Sequence, residues 1–477
     1  MRVPRALSLA AALTFATTAA AAAGGIPAAQ PAPAEGDVFP YPVHEQTLDN
    51  GLKVIVIPYP SPGVVAYFTV VRVGSRQEVE AGHSGFAHFF EHMMFRGTAR
   101  YSADAYNDVV KRMGADSNAF TTDDYTCYFL VGPAAELETM MDVEADRFKS
   151  LKYGEEAFKT ESLAVLGEYN KSASSPFLPL EEKIRDLAFT RHTYKHTTIG
   201  FLADVQAMPG YYDYSLGFFD RFYRPENVVL LVVGDVEPGR LFAQAKKYYG
   251  DWRRGYRPVD ISAEPPQTAA KTARLPWASP TRPYLMTGYH VPAFSATSTN
   301  TTALDLLDQL LTSESAPLYR QLVVEEQWAD QFGSFSGYQR DPSLYSFFAR
   351  VKSEPLVAKV QAAIDAAVGE LAARPVDAAR LGRIKSHLRY AFAVGLDSPG
   401  AVGFRAANFI NLTGGVAAIN QLFREYEQVT PEDIQALVGR TFRAENRTTV
   451  VLAHEEPAAP SGDRPAEAQG GDAGGGR

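Results

Sequence analysis

His88-Phe89-Phe90-Glu91-His92 places two imidazoles and a carboxylate within five residues. On an α-helix, residues four apart stand one turn apart on one face, so His88 and His92 project together. Two imidazoles so placed can bind one zinc ion. Glu91 falls on the same side, within reach of a water held at such an ion, and is a candidate general base. Phe86, Phe89, Phe90 and Met93 form an i, i+3, i+4, i+7 stripe on the opposite side. That stripe would enter a core while the polar trio faces a cavity. Ser84 is the expected N-cap and Gly97 the expected end. The bland reading is two solvated histidines on an amphipathic helix. Such a pattern arises rarely by chance in a chain with only nine histidines.

A catalytic zinc takes a third protein ligand and keeps a fourth position for water. The helical period over residues 155–170 offers Glu161 and Glu168. They are seven residues apart and close in azimuth, so both point the same way. Either could reach an ion, and either could simply be solvated.

Composition narrows the field. The chain has 477 residues, 46% apolar and 21% charged, which suits two or three globular domains. A net charge of −9 argues against a basic nucleic-acid-binding surface, so no nucleic-acid partner is expected. Cys127 is the one cysteine. It excludes an intramolecular disulfide and any multi-cysteine metal site, leaving His, Asp and Glu to hold a metal. Arg2 and Arg5 precede an uncharged Ala/Leu-rich run that ends at Ala23. Residues 1–23 therefore read as a secretory signal peptide, followed by a flexible lead over 24–38. A membrane anchor is the alternative, but the run is weakly apolar for a stable span. The expected location is the periplasm or the medium. Residues 456–477 are Pro, Ala, Glu and Gly-rich and are expected to be a disordered tail.

Between these ends the chain reads as a duplication. Phe222-Tyr-Arg-Pro-Glu-Asn227 and its following β-branched run are matched 219 residues later by Thr441-Phe-Arg-Ala-Glu-Asn446 and the run after it. Asp124-Tyr-Thr-Cys-Tyr128 is echoed 217 residues later by Asp341-Pro-Ser-Leu-Tyr345. The expected halves are 39–254 and 278–455, with a Pro-rich linker over 255–277. In the first half, strand-like runs fall at 52–57, 64–73 and 125–131. Helical periods fall at 84–95, 102–113, 134–150, 155–170 and 210–221. The runs 52–57 and 64–73, joined through Pro60 to Gly63, are expected to pair antiparallel, giving an α+β half. At the offset of 217, His88 falls on Asp305 and His92 on Gln309, so the second half lacks the histidine pair.

The segment Gly85-Phe-Ala-His88-Phe-Phe-Glu91-His92-Met-Met-Phe-Arg-Gly97-Thr98 resembles the signature of the pitrilysin, insulysin and mitochondrial processing peptidase family, the inverted HxxEH zinc peptidases. The resemblance continues through Gly114, Asn118-Ala-Phe-Thr121, Asp124, Thr126 and Tyr128, then Glu161 with Glu168. It closes on Tyr223-Arg-Pro-Glu-Asn227 and Gly234-Asp235. It implies two homologous α+β domains, each a largely antiparallel sheet packed with helices, that form half of a clam-like chamber. The first would be the zinc-binding peptidase domain and the second a degenerate copy without a metal site.

By the same resemblance, His88, His92 and Glu168 bind one zinc per chain, Glu91 is the general base, and Glu161 orients the ligands without binding the ion. The segment Ser117 to Thr122 would be an edge strand to which an extended peptide adds by main-chain hydrogen bonds, with Asn118 and Ala119 as its contacts. Active members also carry an arginine and a tyrosine seven residues apart that grip the substrate. The matching segment here puts Val323 and Asp330 at those positions, with Tyr319 and Arg320 nearby but out of step. A heterodimer is therefore expected, its partner a paralogous subunit that lacks the zinc motif and supplies the Arg/Tyr pair; a homodimer is the alternative. The implied function is that of an exported zinc metalloendopeptidase acting on short or unfolded peptides. The alternatives are a non-catalytic core or assembly subunit of the same family, or a peptide-binding module.

Overall fold

The computed structural model describes residues 36–455. The expected signal peptide, the first part of the lead and the expected tail lie outside the described residues.

The first half runs β1 (His44–Thr47), β2 (Lys53–Pro58), β3 (Val64–Val71), α1 (Phe86–Met93), α2 (Ala103–Met113), β4 (Asp116–Thr121), β5 (Thr126–Pro133) and α3 (Leu137–Ser150). It continues through α4 (Glu155–Ala173), α5 (Phe177–Ala188), α6 (Leu202–Ala207), α7 (Tyr212–Phe222), β6 (Val228–Gly234) and α8 (Pro238–Tyr249). The second half runs β7 (Lys271–Trp277), β8 (Tyr284–Val291), α9 (Thr299–Thr312), the single turn α10 (Pro317–Tyr319), β9 (Ala329–Phe335) and β10 (Ser343–Val351). Helices α11 (Val357–Ala373), α12 (Ala378–Val394), α13 (Pro399–Thr413), α14 (Ala417–Gln428) and α15 (Pro431–Thr441) follow, and β11 (Arg447–His454) closes it.

The two sheets have one topology. The first is ordered β1-β2-β6-β3-β5-β4 and the second β7-β11-β8-β10-β9, so the second repeats the first without β1. All neighbours are antiparallel except β2 with β6 and β7 with β11. The fold is thus α+β, with the mostly antiparallel sheets expected.

Three expectations are corrected. Strands β2 and β3 do not pair, because β6 lies between them, with Leu231 opposite both Ile55 and Phe68. Every residue of β6 is buried, and a run apolar on both faces belongs at a sheet centre. The Tyr59 to Gly63 link has only to step over one strand, about 10 Å. Second, the expected linker contains β7, so the second sheet begins at Lys271 rather than after residue 277. Pro276 is tolerated there because β7 is an edge strand. Third, the end of the expected lead is held. Val38 is buried, Asp37 pairs with Arg424 at 2.8 Å, and Asn420 on α14 bonds both main-chain groups of Phe39.

Each half lends the other a helix. Val54, Val56, Val65 and Tyr67 of the first sheet pack under the helices of their own half, α1 included. Ile55, Ile57, Ala66 and Phe68 face the other way, into the core of the second half, where α13 lies across β3 and β6. The fit is close: a β-carbon on Gly403 would sit 2.0 Å from the Phe68 ring, and the Phe404 ring meets Phe68 edge-on at 5.1 Å. In return α5 lies on the second sheet, where Leu180 and Ile184 join Met286, Val450 and Leu452.

Candidate metal and catalytic site

Helix α1 is short, and its two ends are tied. Its first amides are taken by Glu78, which accepts from Gly85 at 2.8 Å and from Ala87 at 2.7 Å. Burial pushes the Glu78 carboxyl up to about 8. Ser84 is not the cap: its hydroxyl donates to Asp204 at 2.6 Å and accepts from the Phe201 amide. Gly85 is the N-cap residue, and the helix stops at Met93, short of Gly97, which instead bridges to Ser102.

The expected stripe is buried: Phe86, Phe89, Phe90 and Met93 are fully enclosed. Phe90 stacks on Phe218 of α7 at 5.2 Å, and Phe89 meets Phe158 of α4 edge-on at 5.0 Å. The second contact matters for the chemistry. Phe158, Ser162, Val165 and Tyr169 are buried along one side of α4, each about one turn from the next. With that side docked beside α1, Glu161 and Glu168 meet the histidines.

Oxygen Oε2 of Glu168 lies 3.6 Å from His88 Nε2 and 3.4 Å from His92 Nε2. Ligand atoms about 2.1 Å from a tetrahedral zinc stand about 3.4 Å apart, so this spacing fits such an ion. Taking one donor atom from each of the three residues, all lie within 4.8 Å of one another. Among the described residues this is the one such group of His, Cys, Asp or Glu. Glu161 is outside it. Its Oε1 binds Arg96 at 2.6 Å, and its Oε2 lies 3.7 Å from Nδ1, the other nitrogen of His92. His88 Nδ1 is buried without a hydrogen-bond partner among the described residues.

The charges are arranged accordingly. Glu161, then Glu168, push the His92 imidazole up to about 9. Burial pushes His88 down. Burial would raise Glu161, but His92 and Arg96 outweigh it and hold the carboxyl below its ordinary range. His92 does the same for Glu168.

Among the described residues, strand β4 is the edge of its sheet and is bonded to β5 alone. Asn118 is exposed on it, its Oδ1 accepting from the Ala119 amide at 2.9 Å, and Ala119 is buried. At the strand's end Thr121 Oγ1 donates to Glu91 Oε2 at 2.7 Å. The edge and the glutamate are therefore in direct contact. A cavity of about 330 Å³ opens beside them, with His88, Glu168, Thr122 and Arg185 on its walls.

The four residues near the expected Arg/Tyr positions are not part of this cluster. Arg320 pairs with Glu325 at 2.9 Å, and Asp330 with Arg350 at 2.7 Å. In the second half, α9 stands in the place of α1. Asp305 accepts from the hydroxyls of Tyr338 and Tyr426, each at 2.6 Å. Helix α12, in the place of α4, contains no Asp or Glu.

Sequence reasoning missed Glu78, Arg96 and Asp204. Arg96 stands one turn beyond His92 and could have been found by its spacing. Glu78 and Asp204 act across loops and leave no local signal.

The chain is similar to known proteins. Residues 54–200 match the family described as insulinase (peptidase family M16), and residues 212–388 match the peptidase M16 inactive domain. The zinc protease PqqE of Helicobacter pylori is 30% identical over 426 residues, covering 86% of this chain and 93% of that one. An uncharacterized zinc protease of Streptomyces coelicolor is 22% identical over 404 residues, covering 83% and 86%. Among solved structures, a protease from Helicobacter pylori superposes with a TM-score of 0.82 at 29% identity, covering 86% of this chain and 99% of that one. The first half of the periplasmic protease PqqL from Escherichia coli gives 0.69 at 19% identity, covering 86% and 92%.

Proposed function

Because the chain belongs to the M16, or insulinase, peptidase family, we propose that it is an exported zinc metalloendopeptidase that hydrolyses short or unfolded peptides. The observation that carries this reading is the spacing of His88 Nε2, His92 Nε2 and Glu168 Oε2 around room for one ion, with Glu91 on the same helix. A zinc ion held there would lower the pKa of a water toward about 7 and polarise the scissile carbonyl. Glu91 takes the proton from the attacking water and hands it to the leaving amine. Thr121 occupies Oε2 of Glu91, which leaves Oε1 for that proton. Glu161 holds the His92 ring so that Nε2 is turned to the ion. An extended peptide adds to the edge of β4 beside Asn118 and Ala119, reading main chain more than side chains.

The inactive-domain match covers residues 212–388, which contain none of His88, Glu91, His92 and Glu168. This favours a catalytic first half, 39–254, over a non-catalytic core or assembly subunit or a peptide-binding module. The second half, 278–455 with the addition of β7, serves as its degenerate companion.

In this reading the active enzyme is a heterodimer, whose partner is a paralogous subunit without the zinc motif that brings an Arg/Tyr pair. A periplasmic location is in keeping with the PqqL likeness, and among the described residues no helix is long and apolar enough to cross a membrane. The test is metal analysis with digestion of an unstructured peptide, by the chain alone and with its paralogue. One zinc per chain, and cleavage that needs the paralogue and is abolished by a chelator, are expected. Full cleavage by the chain alone would remove the heterodimer; no metal and no cleavage in either case would remove the enzyme.

A further inference from the structure

The turn between β4 and β5 is gripped from both halves of the chain. Thr122 closes the turn, its amide donating to the Tyr125 carbonyl at 2.8 Å. The two aspartates of the turn then point away from the hairpin. Asp123 accepts from Arg185 at 2.9 Å and from Gln339 at 3.2 Å. Asp124 accepts from the Tyr194 hydroxyl at 2.6 Å and from the Arg340 amide at 2.8 Å. Asp341, which stands at the place of Asp124 in the second copy, accepts from Arg76 Nε at 2.5 Å and lies 2.9 Å from His192 Nε2. Both turn aspartates are buried, where such bonds are strong and costly to leave unmade. The two copies of one aspartate thus meet at the junction of the halves, and Arg76 lies between them, its Nε 3.8 Å from Asp124.

This junction touches the site twice. On one side Thr121, the residue before the turn, donates to Glu91. On the other, the Arg76 amide donates to the Asp123 carbonyl at 2.7 Å, and two residues beyond Arg76 stands Glu78, which holds the first amides of α1. The backbones are pressed together here: a β-carbon on Gly74 would sit 2.3 Å from the Thr122 carbonyl. An edge strand has a sheet neighbour on one side only, so its tip is otherwise weakly held.

Resting on the peptidase reading above, we propose that Asp341 is a positioning residue for the reaction: from the half without a metal site it fixes, through Arg76 and the Asp124 turn, the seat of the β4 edge and of Thr121 against Glu91. The second half is then a working part of the first half's site.

The experiment compares wild type, Asp341→Asn and Asp341→Glu as zinc-loaded full chains, with its paralogue added where cleavage needs it. It reads zinc per chain, kcat and KM on an unstructured peptide, and amide hydrogen exchange over residues 116–125. Asp341→Asn is expected to keep its zinc, raise KM at least tenfold with a smaller fall in kcat, and speed exchange of that hairpin at least tenfold. Asp341→Glu, which keeps the charge, is expected to recover most of both. An unchanged KM with unchanged exchange overturns the proposal, and a fall in kcat does not rescue it when KM and exchange both stay at the wild-type values, because it then reports only a lost fraction of folded enzyme. If wild type and Glu91→Gln cleave alike, the peptidase reading is what fails. The exchange of the hairpin then decides the clamp by itself, and unchanged exchange overturns it.

Discussion

Glu161 faces the side of the His92 ring away from the candidate ion, its Oε2 3.7 Å from Nδ1 while His92 Nε2 is turned to Glu168. A carboxylate behind a ligating imidazole fixes the ring and raises its basicity. Glu161→Ala should therefore weaken zinc binding by about 10–100-fold without removing a ligand. Competition with a chromophoric chelator measures it; an unaltered affinity would make Glu161 a partner of Arg96 alone.

Zinc uptake should be linked to protons. Without an ion, Glu161 and Glu168 raise His92 to about 9, above the ordinary 6.5. The sign is that of a raised base: the pairing stabilises the ion-free fold fully below pH 6.5, and that contribution is lost as pH rises through about 9. Zinc needs the neutral ring, so at pH 7.5 about one proton should leave His92 per ion bound. Apparent affinity should then climb about tenfold per pH unit until about pH 9. Calorimetry in buffers of different ionisation enthalpy counts that proton. For Glu161→Ala the release should shrink.

Glu91→Gln and His88→Ala should separate proton transfer from metal binding. The first removes the base but none of the three donors, and should keep zinc while losing at least about 10²–10⁴-fold in turnover. The second removes a donor and should lose zinc itself. Metal content beside the rate distinguishes them. Glu91→Gln with wild-type turnover would end the assignment of the base.

What the sequence discloses here is what repeats locally. The histidine pair and the phenylalanine stripe of α1 are helical periods, so they are readable, and the structure holds them as read. The duplication is readable for the same reason, as strings at one offset. Partners that meet across the chain are not. Nothing in Leu52 to Val71 says that β6, more than 150 residues on, will part β2 from β3. Pro276 misleads because proline marks both linkers and edge strands. Glu78 carries no local signal because the α1 amides it holds lie across a loop.

The exchanged helices predict joint unfolding. Gly403→Val would drive a side chain into the space of Phe68, and overpacking of this kind costs about 1–3 kcal/mol. Thermal unfolding should stay a single transition at lower temperature for this variant. Residues 39–254 expressed alone should aggregate, since Ile55, Ile57, Phe68 and Leu231 would lose their cover. Two separate calorimetric peaks in the full chain would contradict this.

The tyrosine hydroxyls on Asp305 carry a last consequence. Writing histidines at 305 and 309 would not bring a second centre to life. Tyr338 and Tyr426 already fill the space around the first position, and α12 offers no acid to complete a ligand set. A working centre in this half would need both tyrosines cleared and a carboxylate added on α12 besides the two histidines, so two substitutions confer only surplus imidazoles.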